Sequence, residues 1–322
     1  MDDRSNEVLD ISVKIKDKTN EINNNPNNNP NNNPNNNPTI KHLVLSGGGT
    51  YGLIAYGALK QGNIMGQWSI DNIQSIYGTS IGSMFAVVLA LKYDWKTLDD
   101  YFIKRPWHHI FKYDVYSIFG AFERRGIFNV KIMEEMFLPL FSGLDDAIDI
   151  NITMQQFFER TNIDIHVFAT DINAFEPVDI SHTTHPDWRV VDAVYASSCL
   201  PIFFSPFMKD DQYYVDGGIF LNYPLEPCFN RPDINPDEIL GIRKNYLNSL
   251  NDNITEQSNL MDYVLILLNK TFTKLIKTDN IKLKNEIVID AVVVSAFELF
   301  QMASSMEKRI QLIDAGITLM RD

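Results

Sequence analysis

Short apolar runs that stop abruptly at small residues recur along the chain, and helical patterns follow them. Residues 42–46 form one such run, which ends at three consecutive glycines, and residues 73–77 form another, which ends at a Gly-Thr-Ser turn. Segment 51–61 then places apolar side chains at helical spacing, and segment 81–91 is strongly apolar. A strand, a turn and a helix in repeated succession are typical of a parallel sheet covered by helices.

Similar patterns predict further elements downstream and indicate one α/β domain. Strands are expected at residues 163–170, 213–215 and 238–242, and helices near residues 190–197, 260–277 and 297–317.

The N-terminal segment has a different composition. Four consecutive Asn-Asn-Asn-Pro units fill residues 23–38, a tract without apolar side chains to offset the entropy of ordering it. We expect residues 1–40 to be a disordered tail and residues 41–322 to be the folded domain. A repeat that recognises a partner is the alternative for the tract.

Charge and cysteine content limit the expected partners and the expected cellular compartment. The chain has 28 Lys and Arg against 41 Asp and Glu, a formal charge of -13 that disfavours nucleic acid as a partner. Its two cysteines, Cys199 and Cys228, form no disulfide framework or metal-ligand spacing, which favours a reducing compartment. Neither a signal peptide nor an apolar run long enough to span a membrane is visible, so we expect a cytoplasmic protein.

A candidate nucleophile stands at the junction of the second strand and its helix. Gly78, Ser80 and Gly82 match the pattern Gly-x-Ser-x-Gly. In this pattern a sharp turn lifts the serine hydroxyl above the sheet, and the small flanking residues allow close approach of the chain. The alternative is an ordinary turn that uses Gly and Ser for their turn propensity.

The glycine-rich segment 47–52 could serve three kinds of site. A P-loop is excluded, because Leu53 stands where that motif requires Lys. The segment matches the dinucleotide pattern Gly-x-Gly-x-x-Gly, but the acid about twenty residues on, Asp71, precedes the second strand instead of ending it. As an oxyanion hole, the backbone N–H groups of the consecutive glycines would converge on a developing negative charge at a helix N-terminus.

Chain order favours a carboxylate as the base for Ser80. In α/β-hydrolases the serine is followed by an acid and then by a histidine, but the last histidine here is His185. Asp216 ends a predicted strand and precedes two glycines. A buried Asp with few positive neighbours has a raised pKa and can act as a base. The alternative is that the Asp-Gly-Gly segment is simply a turn.

Several segments together resemble the patatin-like phospholipases, in the order of that family. The three main blocks are residues 47–52, 78–82 and 216–218, with supporting stretches at residues 169–171, 196–201 and 312–316. The resemblance runs from about residue 42 to about residue 318. One position departs from the family pattern, since Tyr51 stands where the family usually has Arg or Lys.

The resemblance implies a three-layer α/β/α fold with a mainly parallel central sheet, and hydrolysis of fatty-acyl esters of lipids, phospholipids in particular. It implies a catalytic dyad of Ser80 and Asp216, with Gly47, Gly48 and Gly49 in the oxyanion-hole loop and no metal or cofactor. The expected partner is a lipid substrate, met at a membrane surface. A dinucleotide-binding enzyme and a catalytically inactive lipid-binding protein are the alternatives.

An aromatic stretch lies beside these motifs. Residues 93–128 contain eleven aromatic side chains, with Lys, Arg and His among them. Such a stretch could dock at a membrane interface or line an acyl channel. The alternative is a satellite core under a long connection.

Overall fold

The computed structural model describes residues 38–49, 51–112, 115–246, 253–256, 258, 260–275, 281–291 and 301–321. Its strands are β1 His42–Leu45, β2 Ser75–Thr79, β3 Gly126–Phe128, β4 Asp164–Asp171, β5 Glu176–Ile180, β6 Ile202–Phe204, β7 Phe207–Lys209, β8 Gln212–Asp216, β9 Ile239–Tyr246 and β10 Asn285–Ala291. Its α-helices are α1 Tyr51–Ile64, α2 Ile81–Ala90, α3 Trp95–Asp99, α4 Val115–Arg124, α5 Lys131–Ser142, α6 Met154–Thr161, α7 Val190–Ser198, α8 Leu225–Phe229, α9 Leu260–Leu275 and α10 Met306–Leu319. Short 3-10 helices span Ile70–Asn72, Trp107–His109, Gly217–Ile219 and Pro236–Glu238, and one π-helical turn spans Asp100–Lys104.

A mainly parallel sheet forms the centre of the fold. Its strand order is β10-β9-β1-β2-β4-β8-β7, and the first five strands of that order run parallel. Strands β8, β7 and β5 are antiparallel to their neighbours at the other edge. The α/β class and the mainly parallel sheet that the sequence predicts are confirmed.

Successive side chains of a strand point to opposite faces of the sheet, so the core has two parts, one on each face. In β1, Leu43 and Leu45 belong to the larger apolar cluster, whereas Val44 belongs to a smaller one. Helices α1, α2, α5, α6, α7 and α10 contribute to the larger cluster, and α8 contributes to the smaller one. Helices therefore flank the sheet as the three-layer expectation requires, with far more helical cover on one side.

The pairing of β4 sets the position of the site. Along one edge, β4 pairs in parallel with β2 from Asp164 to Phe168, and its last three residues pair with β8 from the opposite direction. Strand β5 pairs with β4 from residue 167 onwards and so occupies the other edge. Thus β2 and β8 lie end to end beside β4, and the C-terminal residue of each meets that of the other.

The predicted elements agree with the structure to within a few residues, with one clear difference. The helix predicted at 297–317 is interrupted at Ser305, whose side chain accepts a hydrogen bond from the Lys308 N–H and so starts α10. The first four residues of that predicted helix lie outside the described residues, as do the last two of the helix predicted at 260–277. The proposed tail, except residues 38–40, also lies outside them.

No helix within the described ranges is long and apolar enough to cross a membrane.

A buried histidine lies between two acids on the sheet. The His166 ring nitrogens lie 2.8 Å from an Asp179 carboxylate oxygen and 3.1 Å from an Asp164 oxygen, and the ring stacks on Tyr77. His182 binds the other Asp164 oxygen at 2.9 Å. Because both ring nitrogens of His166 face carboxylates, the imidazolium form suits this position.

We expect the free energy of unfolding to fall as the pH rises through this histidine's titration. Burial lowers the pKa of His166, but its hydrogen bonds to Asp164 and Asp179 outweigh burial and raise that pKa from 6.5 to about 9. The resulting stabilisation is fully present below about pH 6.5 and is lost as the pH rises through about 9, a change of about 3 kcal/mol. Urea unfolding across this range tests the expectation.

The His166→Gln variant should show a much flatter dependence between these pH values. The exposed His108 provides a matched control, and the His108→Gln variant should keep the full dependence. An equal slope in the unaltered protein and in His166→Gln would contradict this account.

Candidate active site

Ser80 occupies a strained turn between β2 and α2. Its φ of 54° and ψ of -123° are unusual for a residue with a side chain. The Ser80 N–H donates to Ser197 Oγ at 2.8 Å, and the Ser80 carbonyl accepts from the Ser83 N–H at 2.9 Å. These hydrogen bonds hold the strained residue in place.

The two glycines around Ser80 are required by close backbone approach. A Cβ on Gly78 would lie 2.5 Å from the Gly82 carbonyl carbon, and one on Gly82 would collide with the carbonyl of Leu45 in β1. Any larger side chain at either position would push α2 away from the sheet, so the pattern that singled out Ser80 has a steric basis here.

The Asp216 side chain lies within hydrogen-bonding distance of Ser80. Ser80 Oγ donates to Asp216 Oδ2 at 2.7 Å, and the Gly218 N–H donates to Asp216 Oδ1 at 2.7 Å. The strand register explains this proximity, because Thr79 and Asp216 pair with the consecutive β4 residues Phe168 and Ala169. The structure thus brings together two of the residues that the sequence singled out.

Burial determines the electrostatics of the pair. Asp216 is only 7% exposed, and burial raises its pKa to about 6 against the opposing effect of the hydrogen bonds from Gly218 and Ser80. The carboxylate is therefore ionised at neutral pH but is a stronger base than an ordinary Asp.

The glycine loop packs directly against Ser80. A Cβ on Gly47 would lie 3.1 Å from Ser80 Cβ. The Gly47 N–H donates to the Asn222 carbonyl at 2.9 Å, and the Asn222 side-chain amide donates back to the Gly47 carbonyl at 3.2 Å. Gly47 therefore anchors the loop, and its N–H, one of the three expected oxyanion donors, is already engaged by Asn222.

Tyr51 and a buried lysine lie close to Gly48 of this loop. Tyr51 is buried, and Ser46 Oγ lies 3.5 Å from its hydroxyl. Lys244 of β9 is also buried, and its Cδ lies 2.8 Å from where a Gly48 Cβ would stand. A cationic side chain thus reaches the loop from a strand distant in sequence, although Tyr51 replaces the family's usual cation.

A dinucleotide site requires an acid near the glycine loop to bind the ribose, and Asp71 does not meet this requirement. Asp71 lies in an exposed 3-10 helix that precedes β2, at the opposite end of that strand from the glycine loop. A ribose bound beside the loop would be out of reach of this carboxylate.

The sequence did not reveal the roles of two residues of the site. Ser197 lies in a stretch that resembles the family, but nothing in its local pattern indicates that its hydroxyl would hold the Ser80 backbone. Asn222 follows Asp216 by six positions, and no local signal marks it as the residue that fixes Gly47.

Comparisons with known proteins identify the family of the chain. A family model described as patatin-like phospholipase matches residues 43–229, more than half of the chain. That range includes the glycine loop, Ser80 and Asp216.

Relatives and a solved structure were also found. The chain is 27% identical over 190 residues to a probable lipid hydrolase, 463L, of Invertebrate iridescent virus 6, covering 58% of this chain and 62% of that protein. It is 29% identical over 205 residues to a cGAMP-activated phospholipase of Vibrio cholerae, covering 58% of this chain and 55% of that protein. The chain thus spans less than two thirds of either relative.

Among solved structures, VipD from Legionella pneumophila is similar with a TM-score of 0.49 and 17% identity, covering 86% of this chain and 67% of that one.

Replacing the buried carboxylate should stabilise the fold. Because the pKa of Asp216 is raised from 3.8 to about 6, ionising it destabilises the folded protein; this penalty is absent below about pH 3.8 and complete above about pH 6. Asp216→Asn should therefore increase the free energy of unfolding by up to about 3 kcal/mol at neutral pH, with the gain vanishing near pH 4. Urea unfolding at both pH values measures it.

Asp171 provides the matched control, because it is another buried Asp at a strand end. Its carboxylate accepts hydrogen bonds from the Asn173 and Ala174 N–H groups and shapes the turn after β4. Asp171→Asn should bring no such gain. A loss of stability in Asp216→Asn at neutral pH would contradict the account of this site.

Proposed function

The chain belongs to the patatin-like phospholipase family of ester-bond hydrolases, and we propose that it hydrolyses fatty-acyl esters of phospholipids with Ser80 as nucleophile and Asp216 as base. The observation that carries the proposal is the 2.7 Å hydrogen bond from Ser80 Oγ to Asp216 Oδ2 in a strained strand-to-helix turn. The glycine loop beside it adds candidate oxyanion donors.

In the first half of the reaction, Ser80 Oγ attacks the ester carbonyl carbon as its proton passes to Asp216. The carbonyl electrons move to the oxygen, which the Gly48 and Gly49 N–H groups stabilise at the N-terminus of α1. When the tetrahedral intermediate collapses, the bond to the alcohol breaks, and that alcohol leaves with the proton from Asp216. An acyl-enzyme on Ser80 remains.

In the second half, water attacks the acyl carbonyl and gives its proton to the same carboxylate. Collapse of the second intermediate breaks the bond to Ser80 Oγ, which takes the proton back, and releases the fatty acid. One carboxylate thus handles protons in both steps, and no metal or cofactor takes part.

The environment of the carboxylate supports this role. Among the described residues, no histidine is hydrogen-bonded to Ser80 or Asp216; His166 and His182 instead bind Asp164 and Asp179. The raised pKa allows Asp216 to accept a proton more readily than an ordinary carboxylate would.

The comparisons support the substrate class. One relative is named a probable lipid hydrolase and another a phospholipase. We therefore assign a phospholipid to the site. We also propose that the reaction takes place in a single domain of residues 41–322. The protein would be cytoplasmic and would meet its substrate at a membrane surface.

Replacing either member of the pair should abolish hydrolysis. Ser80→Ala and Asp216→Asn should each lower kcat/KM on a soluble short-chain ester by at least about a thousandfold, because each removes a group that acts in both half-reactions. Circular dichroism checks that the variants fold.

The matched control is again Asp171→Asn, which should keep activity within about threefold of the unaltered protein, since its carboxylate serves the turn after β4. Fluorophosphonate labelling, followed by peptide mapping, should modify Ser80. If Asp216→Asn kept a tenth or more of the rate with Ser80 still labelled, Asp216 would not be the base.

The pH dependence should report a single ionisation. Because Asp216 must be ionised to accept a proton and its pKa is about 6, kcat/KM should fall about tenfold per pH unit below that value and level off above it.

Replacing histidines distinguishes this ionisation from that of an imidazole. Each histidine after Ser80 should be replaceable by Ala with the profile unchanged and the rate modestly affected at most: His108, His109, His166, His182 and His185. A thousandfold loss at any one of them would indicate a triad instead.

A further inference from the structure

Within the described residues of the aromatic stretch, which exclude Tyr113 and the Tyr116 side chain, some side chains are packed and others are exposed. Trp107 is buried, with its Nε1 donating to the Phe102 carbonyl at 2.9 Å, and Phe111 packs edge-on against Phe128. Phe102, Phe111 and Phe128 pack against the larger apolar cluster, so this part of the stretch borders the main core and is not a separate satellite core. Phe119 and Phe122 of α4 are instead 69% and 85% exposed.

The two exposed phenylalanines share one face of α4. They are three positions apart, so they stand next to each other on the helix surface. Phe122 is the most exposed large hydrophobic side chain among the residues that the structure describes. A pair of such rings in water is unfavourable unless another apolar phase covers it.

The charge around α4 is opposite in sign to that of the whole chain. From Arg105 to Lys131 the sequence contains five Lys and Arg against two Asp and Glu, whereas the chain overall is acidic. Lys112, Arg125 and Lys131 are exposed. Exposed aromatic rings bordered by basic side chains fit an anionic lipid surface, with the rings among the acyl chains and the cations at the headgroups.

Helix α4 is linked to the catalytic pair by a short series of contacts. It leads directly into β3, which pairs with β6, and the loop before β6 contains Cys199, whose carbonyl accepts the Asp216 N–H at 3.2 Å. At the end of α4, the Arg125 guanidinium lies 5.9 Å from the centroid of the Tyr213 ring in β8.

We propose that α4 is the membrane-docking element of this protein, which inserts Phe119 and Phe122 into an anionic bilayer while Lys112 and Arg125 contact the headgroups. The proposal rests on the proposed function, because it presents a lipid surface to that same site. It adds which part of the chain binds the bilayer and which lipids it selects.

Vesicle binding in a Ser80→Ala background separates docking from turnover. The unlabelled full-length protein is sedimented with vesicles of phosphatidylcholine alone and with an equal mixture of phosphatidylcholine and phosphatidylserine. We expect binding to the mixed vesicles that weakens at high salt, and little binding to phosphatidylcholine alone. Adding Phe119→Ser and Phe122→Ser should lower the partition coefficient at least about tenfold.

A matched control is available at the other end of the sheet. Ile64 and Met65 are 59% and 49% exposed where α1 ends, far from the edge that holds Ser80. The double variant Ile64→Ser and Met65→Ser should bind vesicles like the unaltered protein. With an intact Ser80, the phenylalanine double variant should hydrolyse a soluble short-chain ester at the normal rate but vesicle phospholipid at least about tenfold more slowly.

Three results would overturn the inference. Unchanged vesicle binding by the phenylalanine double variant would show that α4 does not dock. Equal loss of binding in the Ile64 and Met65 variant would show non-specific adhesion, and conversion of a dimer to a monomer by the phenylalanine changes, seen by size exclusion, would show that a second copy covers α4. Intact vesicle binding without any hydrolysis by the Ser80 protein would instead refute the proposed function and leave this inference standing.

Discussion

The site depends on the fact that β4 is longer than its neighbour β2. Strand β4 has eight residues and β2 has five, so three residues of β4 extend past the point where β2 ends. Those three residues pair with β8, which arrives from the opposite direction along the same edge. The ends of β2 and β8 are therefore forced together, and Ser80 and Asp216 meet without any long loop to position them.

The same pairing also strains the backbone at Ser80 and buries the Asp216 carboxylate, and neighbouring groups offset both costs. The Thr79 side chain donates to the Leu221 carbonyl at 2.7 Å, and the Thr170 hydroxyl donates to the Asp216 carbonyl at 3.1 Å. Together with Ser197, which itself donates to the Phe168 carbonyl, these hydrogen bonds fix both strand ends. A buried carboxylate and a serine at positive φ are stable here because the surrounding backbone is already held by the sheet.

Which features of the site the sequence predicts depends on how far apart along the chain the interacting residues lie. The turn at Ser80 and the strand before Asp216 are local, so spacing and residue type were enough to predict them. The antiparallel strands β5 and β7 were not predicted, because their short, partly exposed segments carry no clear alternation. The engagement of Gly47 by Asn222 and the approach of Lys244 to Gly48 join positions about 175 and 196 residues apart, and no local pattern contains that information.

The use of one carboxylate as the base, as we propose, sets two opposing requirements for burial and for access of the substrate. In the proposed mechanism, Asp216 must be buried enough to be basic, and Ser80 must still be open enough for an ester and then water to reach it. The structure satisfies the first condition with protein groups, since Asp216 is covered by β4, the Gly217–Ile219 turn and α7, while Ser80 keeps partial exposure. If α4 docks as we propose, the bilayer would cover Ser80 during acylation and, on withdrawal, would admit the water that deacylation requires. In the proposed mode of docking, the protein supplies the lasting burial of Asp216, and the lipid supplies a transient cover for Ser80.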